Sequence, residues 1–185
     1  QRMLRKWSNH IGFAIYLTLI ALFGIQYSAR ATHIYGGDLT YQYQGNNNYL
    51  VHLVVYRDCG PTNVNGTDFD SEVYIGVFDY QNNLNTVLTL NLSATNTTLL
   101  PSQLENPCFT VPPNVCVEQA IYETIVNLPF DPNGYTLTYQ RCCRNTSIDN
   151  IVQNGNSLAG MTLTTQIPGT NLVSVQNSSP VFNSV

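Results

Sequence analysis

Apolar and polar residues alternate along much of the chain with a period of two rather than 3.6 residues. In the stretch 49–56, for example, one face would carry Val51, Leu53 and Val55. Such alternation is typical of half-buried β-strands, and the many Thr and Tyr residues favour the same structure. The alternating stretches are 34–43, 49–56, 73–78, 87–92, 121–128, 135–140 and 161–167.

Turn-forming residues separate these stretches. Gly, Asn and Gln cluster at 45–48 and at 81–83, and Gly and Asn favour turns. In 131–134 (DPNG), Pro132 would fix φ and Gly134 would supply a left-handed position, so we expect a hairpin loop there. Short strands with turns at this spacing predict one all-β domain: an antiparallel β-sandwich with long loops, stabilised by disulfides.

The first stretch, residues 33–43, is expected to be a strand of the sandwich rather than a flexible tail. Its more apolar face should point inward, because register is fixed wherever one face is buried. The glycines at 36–37 would permit a β-bulge or a close backbone approach. The apolar face consists of Tyr35, Leu39, Tyr41 and Tyr43.

Residues 1–31 have the layout of a secretory signal peptide. Basic residues in the first six positions precede an apolar run at 11–25, and an A-x-A cleavage site follows at 29–31. The run is shorter than the ~20 residues that span a bilayer, so a membrane anchor is the weaker interpretation. We expect no membrane span after cleavage. The prediction is an exported domain of residues 32–185 that begins near Thr32 and is truncated at its C-terminal end.

Charge and motifs exclude several functional classes. Beyond residue 31 the chain has three arginines, no lysine and eleven acids, hence a net charge of −8. A nucleic-acid-binding protein needs a basic surface, so no nucleic-acid partner is expected. The chain lacks familiar catalytic motifs; Glu118 and Glu123 could be imagined as a glycosidase pair but would face opposite sides of a strand. His33 and His52 are expected to be structural, and we predict a non-enzymatic protein.

The chain has five cysteines, and export would place them in an oxidising compartment. Neighbouring side chains on a strand point to opposite faces, so Cys142 and Cys143 should have different partners. We expect at least one of Cys142 and Cys143 to bridge a distant strand, with Cys59 as the first candidate partner of Cys142, and Cys108 to close a local loop with Cys116. Cys143 would then pair beyond the given sequence. A vicinal disulfide or a metal site is the alternative, although no C-x-x-C pair favours zinc.

One loop collects oxygen-bearing side chains around Gly66. They are Asn63, Asn65, Asp68 and Asp70. Calcium takes six to eight oxygen ligands, but this spacing does not match an EF-hand loop and lacks its closing Glu. A solvated loop between strands is therefore the favoured interpretation. No cofactor is predicted, and calcium is the alternative.

Four segments in fixed order resemble one family: 32–41 (THIYGGDLTY), 56–59 (YRDC), 111–118 (VPPNVCVE) and 139–145 (YQRCCRN). They are similar to the N-terminal region of large adhesin-like surface proteins of gliding Bacteroidetes. Those proteins often carry PKD-type β-sandwich repeats and a gliding-motility-associated sorting domain for type IX secretion. The resemblance implies a secreted, cell-surface location. It implies other domains of the same protein as partners, with a surface polysaccharide or protein as a further ligand, and supplies no site residues.

The arginines beyond residue 31 stand near cysteines. Arg57 and Asp58 precede Cys59, whereas Arg141 and Arg144 flank the adjacent cysteine pair. A pair between an arginine and Asp58 or another acid would clasp two strand ends; an anionic-glycan site is the alternative. We thus predict a non-enzymatic extracellular interaction or structural module. The alternative is a carbohydrate-binding module, which would need exposed coplanar aromatics, although no tryptophan remains after cleavage.

Overall fold

The computed structural model of the chain describes residues 33–60, 68–93, 96–101, 115–142, 144–145, 148, 150–151, 159–169 and 177–180. The chain divides after Arg30, and every described residue belongs to the second unit. The predicted signal peptide, residues 1–31, therefore lies outside the described residues. None of the described residues forms a helix that is long and apolar enough to cross a membrane.

The regular structure of the described residues consists of β-strands. All seven predicted stretches form strands, so these predictions are confirmed. The additional strand β5 has three residues, which is too short to show alternation. The strands are β1 Ile34–Gly45, β2 Asn48–Asp58, β3 Glu72–Phe78, β4 Leu84–Asn91, β5 Thr97–Leu99, β6 Val117–Asn127, β7 Gly134–Arg141 and β8 Met161–Pro168.

The strands form two four-stranded sheets. Sheet 1 has the order β1-β2-β6-β5, and sheet 2 has the order β4-β3-β7-β8. Every pairing within the sheets is antiparallel. Buried side chains of both sheets form one hydrophobic core, as expected where two sheets pack face to face. The predicted antiparallel β-sandwich is therefore confirmed.

Two of the predicted turns form hairpins. Asn46 and Asn47 both have positive φ, 51° and 61°, as a two-residue type I′ loop between β1 and β2 requires. Asn82, with φ 64°, lies in the turn between β3 and β4. At 131–134 Gly134 does adopt a left-handed φ of 79°. The expected hairpin there is nevertheless wrong, because β6 and β7 lie in different sheets and this turn carries the chain across.

Alternating side chains of both sheets fill the core. From β2, Val51, Leu53 and Val55 are almost fully buried, which confirms the inner face predicted for this strand. From sheet 2, Ile75 and Leu137 are fully buried. Burial of each such side chain contributes roughly 1.5–3 kcal/mol. The core therefore supplies the main stabilisation and fixes which side chains face outward.

β1 is built into sheet 1 as predicted, with Leu39 and Tyr41 buried. A register shift near its start is the bulge that the glycine pair was expected to permit. A Cβ atom at Gly37 would lie only 2.4 Å from the carbonyl oxygen of Val54. This position therefore requires a glycine for close backbone approach.

The free edge of β1 is covered by two other segments. The N–H of Tyr41 donates to Oγ of Ser179 at 3.0 Å, and its carbonyl oxygen accepts from the N–H of Ser179 at 2.9 Å. Near the start of the strand, the N–H of Asn145 donates to the carbonyl oxygen of Ile34 at 2.9 Å. Backbone groups that an edge strand would expose are thus satisfied within the chain.

Candidate functional site

Arg57 and Glu118 form an ion pair at the end of the β2–β6 ladder, where the register places them opposite each other. Nε of Arg57 donates to Oε2 of Glu118 at 2.8 Å, and Nη2 donates to the same oxygen at 2.6 Å. The guanidinium also lies 4.5 Å from the ring centroid of Phe69, and its Nη1 lies 3.6 Å from Asp68. Charge-assisted contacts of this kind clasp two neighbouring strands.

Asp70 links the two sheets. Its carboxylate accepts a hydrogen bond from Nη2 of Arg141 in sheet 2 at 2.9 Å. Its carbonyl oxygen accepts one from the hydroxyl of Tyr122 in sheet 1 at 2.7 Å. Burial, assisted by Asp70, raises the pKa of Tyr122, and the same causes raise the pKa of Tyr139 to about 12. Both tyrosines therefore stay protonated at neutral pH.

Asp58 is a buried carboxylate at the end of β2. Its Oδ1 accepts from the N–H of Gly60 at 2.8 Å, and its Oδ2 accepts from Nδ2 of Asn145 at 3.1 Å. Nη2 of Arg144 donates to the carbonyl oxygen of Tyr35. These contacts hold the segment at 144–145 against the strand ends, as buried polar groups require.

Cys59 and Cys116 form a disulfide, with their Cα atoms 5.0 Å apart. The two residues lie one step past the last pair of the β2–β6 ladder, so that the antiparallel register brings them face to face. The first candidate pairing, Cys59 with Cys142, and the local bridge between Cys108 and Cys116 are therefore wrong. The reason is that strand adjacency, which spacing alone does not show, decides which ends can be bridged.

Cys142 is also disulfide-bonded. The remaining two cysteines, Cys108 and Cys143, lie outside the described residues, and so does the pairing expected for Cys143. Disulfides persist in oxidising compartments. The bonds are thus compatible with an extracellular protein.

The calcium candidates are only partly described. Asn63 and Asn65 lie outside the described residues, whereas Asp68 and Asp70 both face arginine side chains. Among the described residues, no group of three or more His, Cys, Asp or Glu could hold a metal ion. In the described part of this loop, the two aspartates therefore contact arginine side chains.

A groove of about 640 Å³ lies over the outer face of sheet 1. The register of β1, β2 and β6 aligns Thr40, His52 and Glu123 in one row across three strands. Nε2 of His52 lies 3.4 Å from Oε1 of Glu123, and these side chains are 33% and 47% exposed. Leu50 and Pro180 add apolar surface to the lining. The groove has the size of a small-ligand site.

Serine side chains form one wall of this groove. Oγ of Ser179 accepts from the backbone of Tyr41, and Oγ of Ser178 accepts from the N–H of Tyr43 at 2.9 Å. Because a hydroxyl can donate while it accepts, each serine keeps its hydrogen as a donor. With Gln42 also in the lining, the groove presents a carboxylate, an imidazole, hydroxyls and an amide around an apolar patch.

Sequence reasoning missed this groove. It treated His52 as structural, gave the segment 177–180 no role and considered Glu123 only as a partner of Glu118. These two glutamates lie on opposite faces of sheet 1, since Glu118 contacts Arg57 and Glu123 contacts His52. The signal that could have revealed the site is the polar row across three strands, which is visible only once the register is known.

No protein-family model, curated protein or solved structure matches this chain. The resemblance to Bacteroidetes surface proteins rests on four short segments and stays a prediction. The candidate site therefore depends on the geometry of the groove.

Proposed function

We propose that this chain is a non-enzymatic extracellular interaction module at the N-terminus of a large bacterial adhesin-like surface protein. The observation that carries the proposal is the groove on sheet 1, where polar groups from three strands and the segment 177–180 converge. Concave sites with a few convergent polar groups and some apolar surface are typical of ligand recognition. The ligand is a surface polysaccharide or a protein, and the other domains of the parent protein are further partners.

The charged groups support a binding role rather than catalysis. Arg57 with Glu118, and Asp70 with Arg141, are engaged with each other at the strand ends. Glu123 is the one carboxylate among the described residues that line the groove. Hydrolysis of a glycosidic bond generally uses two carboxyl groups on either side of the scissile bond. The groove is therefore better suited to hold a ligand than to cleave it.

The contacts that stabilise one end of the sandwich fit a module that works outside the cell. The Cys59–Cys116 bond, the Arg57–Glu118 pair and the buried Asp58 all lie at the same end of β2. Together they fix the strand ends. A rigid scaffold of this kind positions a binding surface precisely enough for recognition.

A carbohydrate-binding module is the second candidate, favoured by the lining of the groove. Sugar hydroxyls both donate and accept hydrogen bonds, which matches the hydroxyls, Gln42 and Glu123. The C–H face of a sugar ring could pack on Leu50 and Pro180. Exposed aromatics, which such modules often use, occur at Tyr74 and Tyr80, but neither residue lines the groove.

An array that carries both purified polysaccharides and extracellular-matrix proteins would test these functions. The exported chain is compared with Glu123→Gln, which removes the groove carboxylate's charge, and with the control Gln140→Ala on the exposed outer face of β7. We expect binding that Glu123→Gln weakens and Gln140→Ala does not. A protein ligand supports the first candidate alone, whereas a polysaccharide ligand is compatible with both. Equal binding by all three chains, or turnover of the bound ligand, would contradict the proposal.

A further inference from the structure

The edge strand β4 carries a row of unpaired backbone groups. The N–H of Leu92 donates to the carbonyl oxygen of Ser71, and this bond sets the alternation along the β3–β4 ladder. In an antiparallel pair, every second residue turns its N–H and C=O away from the partner strand. On β4 these residues are Val87, Thr89 and Asn91, and in the described part of the chain no hydrogen bond reaches their backbone groups.

Within the described part of the chain, β4 lacks the protection that edge strands usually have. Natural proteins blunt exposed edges with lysine, proline, charge or a covering segment. The sequence of β4, LNTVLTLN, has neither charge nor proline, and Val87 is 48% exposed. By contrast, other segments cover the edge of β1, and the open part of β6 carries the charge of Glu123. β4 is therefore an edge strand that can pair with a strand of another molecule.

We propose that β4 pairs with β4 of a second copy of this chain, in antiparallel orientation about a two-fold axis at Leu88. In that register Val87 faces Thr89 of the second copy, and Asn85 faces Asn91. Pairs of β-branched residues and pairs of amides are favourable across strands. The contact is isologous and closes on itself, and it joins two copies of the four-stranded sheet 2 into one continuous sheet.

Charge placement supports a second copy as the occupant. The chain beyond residue 31 has a net charge of −8, so two copies carry like net charges that oppose association. Along β4 the eight residues are uncharged. The acid that the register places nearest to β4 is Glu72. It lies on the neighbouring strand β3, opposite Asn91, and not on the edge strand itself. The neutral edge is thus a place where two copies can meet without like charges opposite each other.

Light scattering after size exclusion tests the dimer with the full exported chain, over roughly 1 to 500 µM since association follows mass action. Val87→Lys would bring two ammonium groups diagonally across the axis, and we expect it to weaken dimerisation by at least roughly tenfold. Gln140→Lys is the matched control, because it adds the same charge to the outer face of β7, away from the edge. Circular dichroism verifies that both variants fold.

Amide hydrogen exchange of the wild-type chain tests the register independently of any variant. We expect the amides of Val87 and Thr89 to become protected as concentration rises, whereas those of Leu88 and Leu90, bonded to β3, are protected throughout. A chain that stays monomeric overturns the proposal. So does a dimer that survives Val87→Lys, or one in which Val87 and Thr89 exchange as fast as in the monomer.

Discussion

Removal of the Cys59–Cys116 disulfide should lower the stability of this domain more than most single changes. The bond joins residues 57 positions apart. In the chain-entropy model, a crosslink that closes a loop of this length restricts the unfolded chain by about 4 kcal/mol. Whole domains are typically stable by about 5–15 kcal/mol, so the loss is a large fraction of the total. Both cysteines are only partly buried, and their replacement leaves no large cavity.

Equilibrium urea unfolding of the double variant Cys59→Ala/Cys116→Ala measures this loss. Replacement of both residues avoids a free thiol that could exchange with the Cys142 bond. We expect the denaturant dependence of the unfolding free energy to increase, because an unfolded chain without the crosslink exposes more surface. Thr162→Ala, at an exposed position of β8, serves as the control and should change stability by no more than about 0.5 kcal/mol.

A loss of unfolding free energy below about 1 kcal/mol, with an unchanged denaturant dependence, would contradict this prediction. That result would mean that other contacts already restrict the unfolded chain. Non-reducing peptide mapping provides a direct check of the pairing. It should release one peptide pair that contains Cys59 and Cys116, whereas a pair joining Cys59 to Cys142 would contradict the observed ladder register.

Three further outcomes follow from the contacts between strands. Tyr122→Phe removes the hydroxyl that bonds the carbonyl oxygen of Asp70 and should lower the unfolding free energy measured in urea by about 1–3 kcal/mol. Gly37→Ala should destabilise by about 1–3 kcal/mol in the same assay, because its Cβ would meet backbone, whereas Gly36→Ala has open space and serves as the control. The folded pKa of Tyr139 is raised to about 12, so its contribution to stability should be fully present below pH 10 and be lost as pH rises from 10 to 12. Absorbance titration at alkaline pH, with Tyr139→Phe as the comparison, tests this.

Hydrophobic alternation predicted the strands because each sheet has one buried and one exposed face. Leu39 and Tyr41 on β1, like Val51 and Leu53 on β2, are two residues apart and buried. A shift of the strand register by one residue would turn all four side chains to the exposed face. β5 was missed because three residues do not define a period. Its place beside β6 depends on the neighbouring strand rather than on its own composition.

Properties that depend on which strands are neighbours could not be predicted. The turn at 131–134 has the local chemistry that was expected, but it connects two sheets rather than two paired strands. Cys59, Cys116 and Cys142 all stand at strand ends, so spacing did not distinguish their pairings. The register of β2 with β6 does, since it brings Cys59 and Cys116 together.

The groove also could not be predicted from the sequence, because it depends on which strands are neighbours. Thr40, His52 and Glu123 lie on three different strands, and their side chains meet only because β2 pairs with both β1 and β6. The wall at 177–180 joins them through hydrogen bonds to β1 over more than a hundred residues of sequence separation. No local sequence pattern predicts that these side chains lie next to each other. The arginines are rare beyond residue 31 and stand at or near strand ends, but the acid that each one contacts depends on which strands are neighbours.

Mapping of the bound ligand by NMR tests the central claim most directly. The isotope-labelled chain is titrated with the polysaccharide or matrix protein that gives the strongest array signal, and backbone amide shifts are followed. We expect the largest shifts at Thr40, His52, Glu123 and Ser178, with the ligand recovered intact. Shifts confined to the outer face of sheet 2, for example around Tyr74, or cleavage of the ligand, would contradict a non-enzymatic module that binds through the groove on sheet 1.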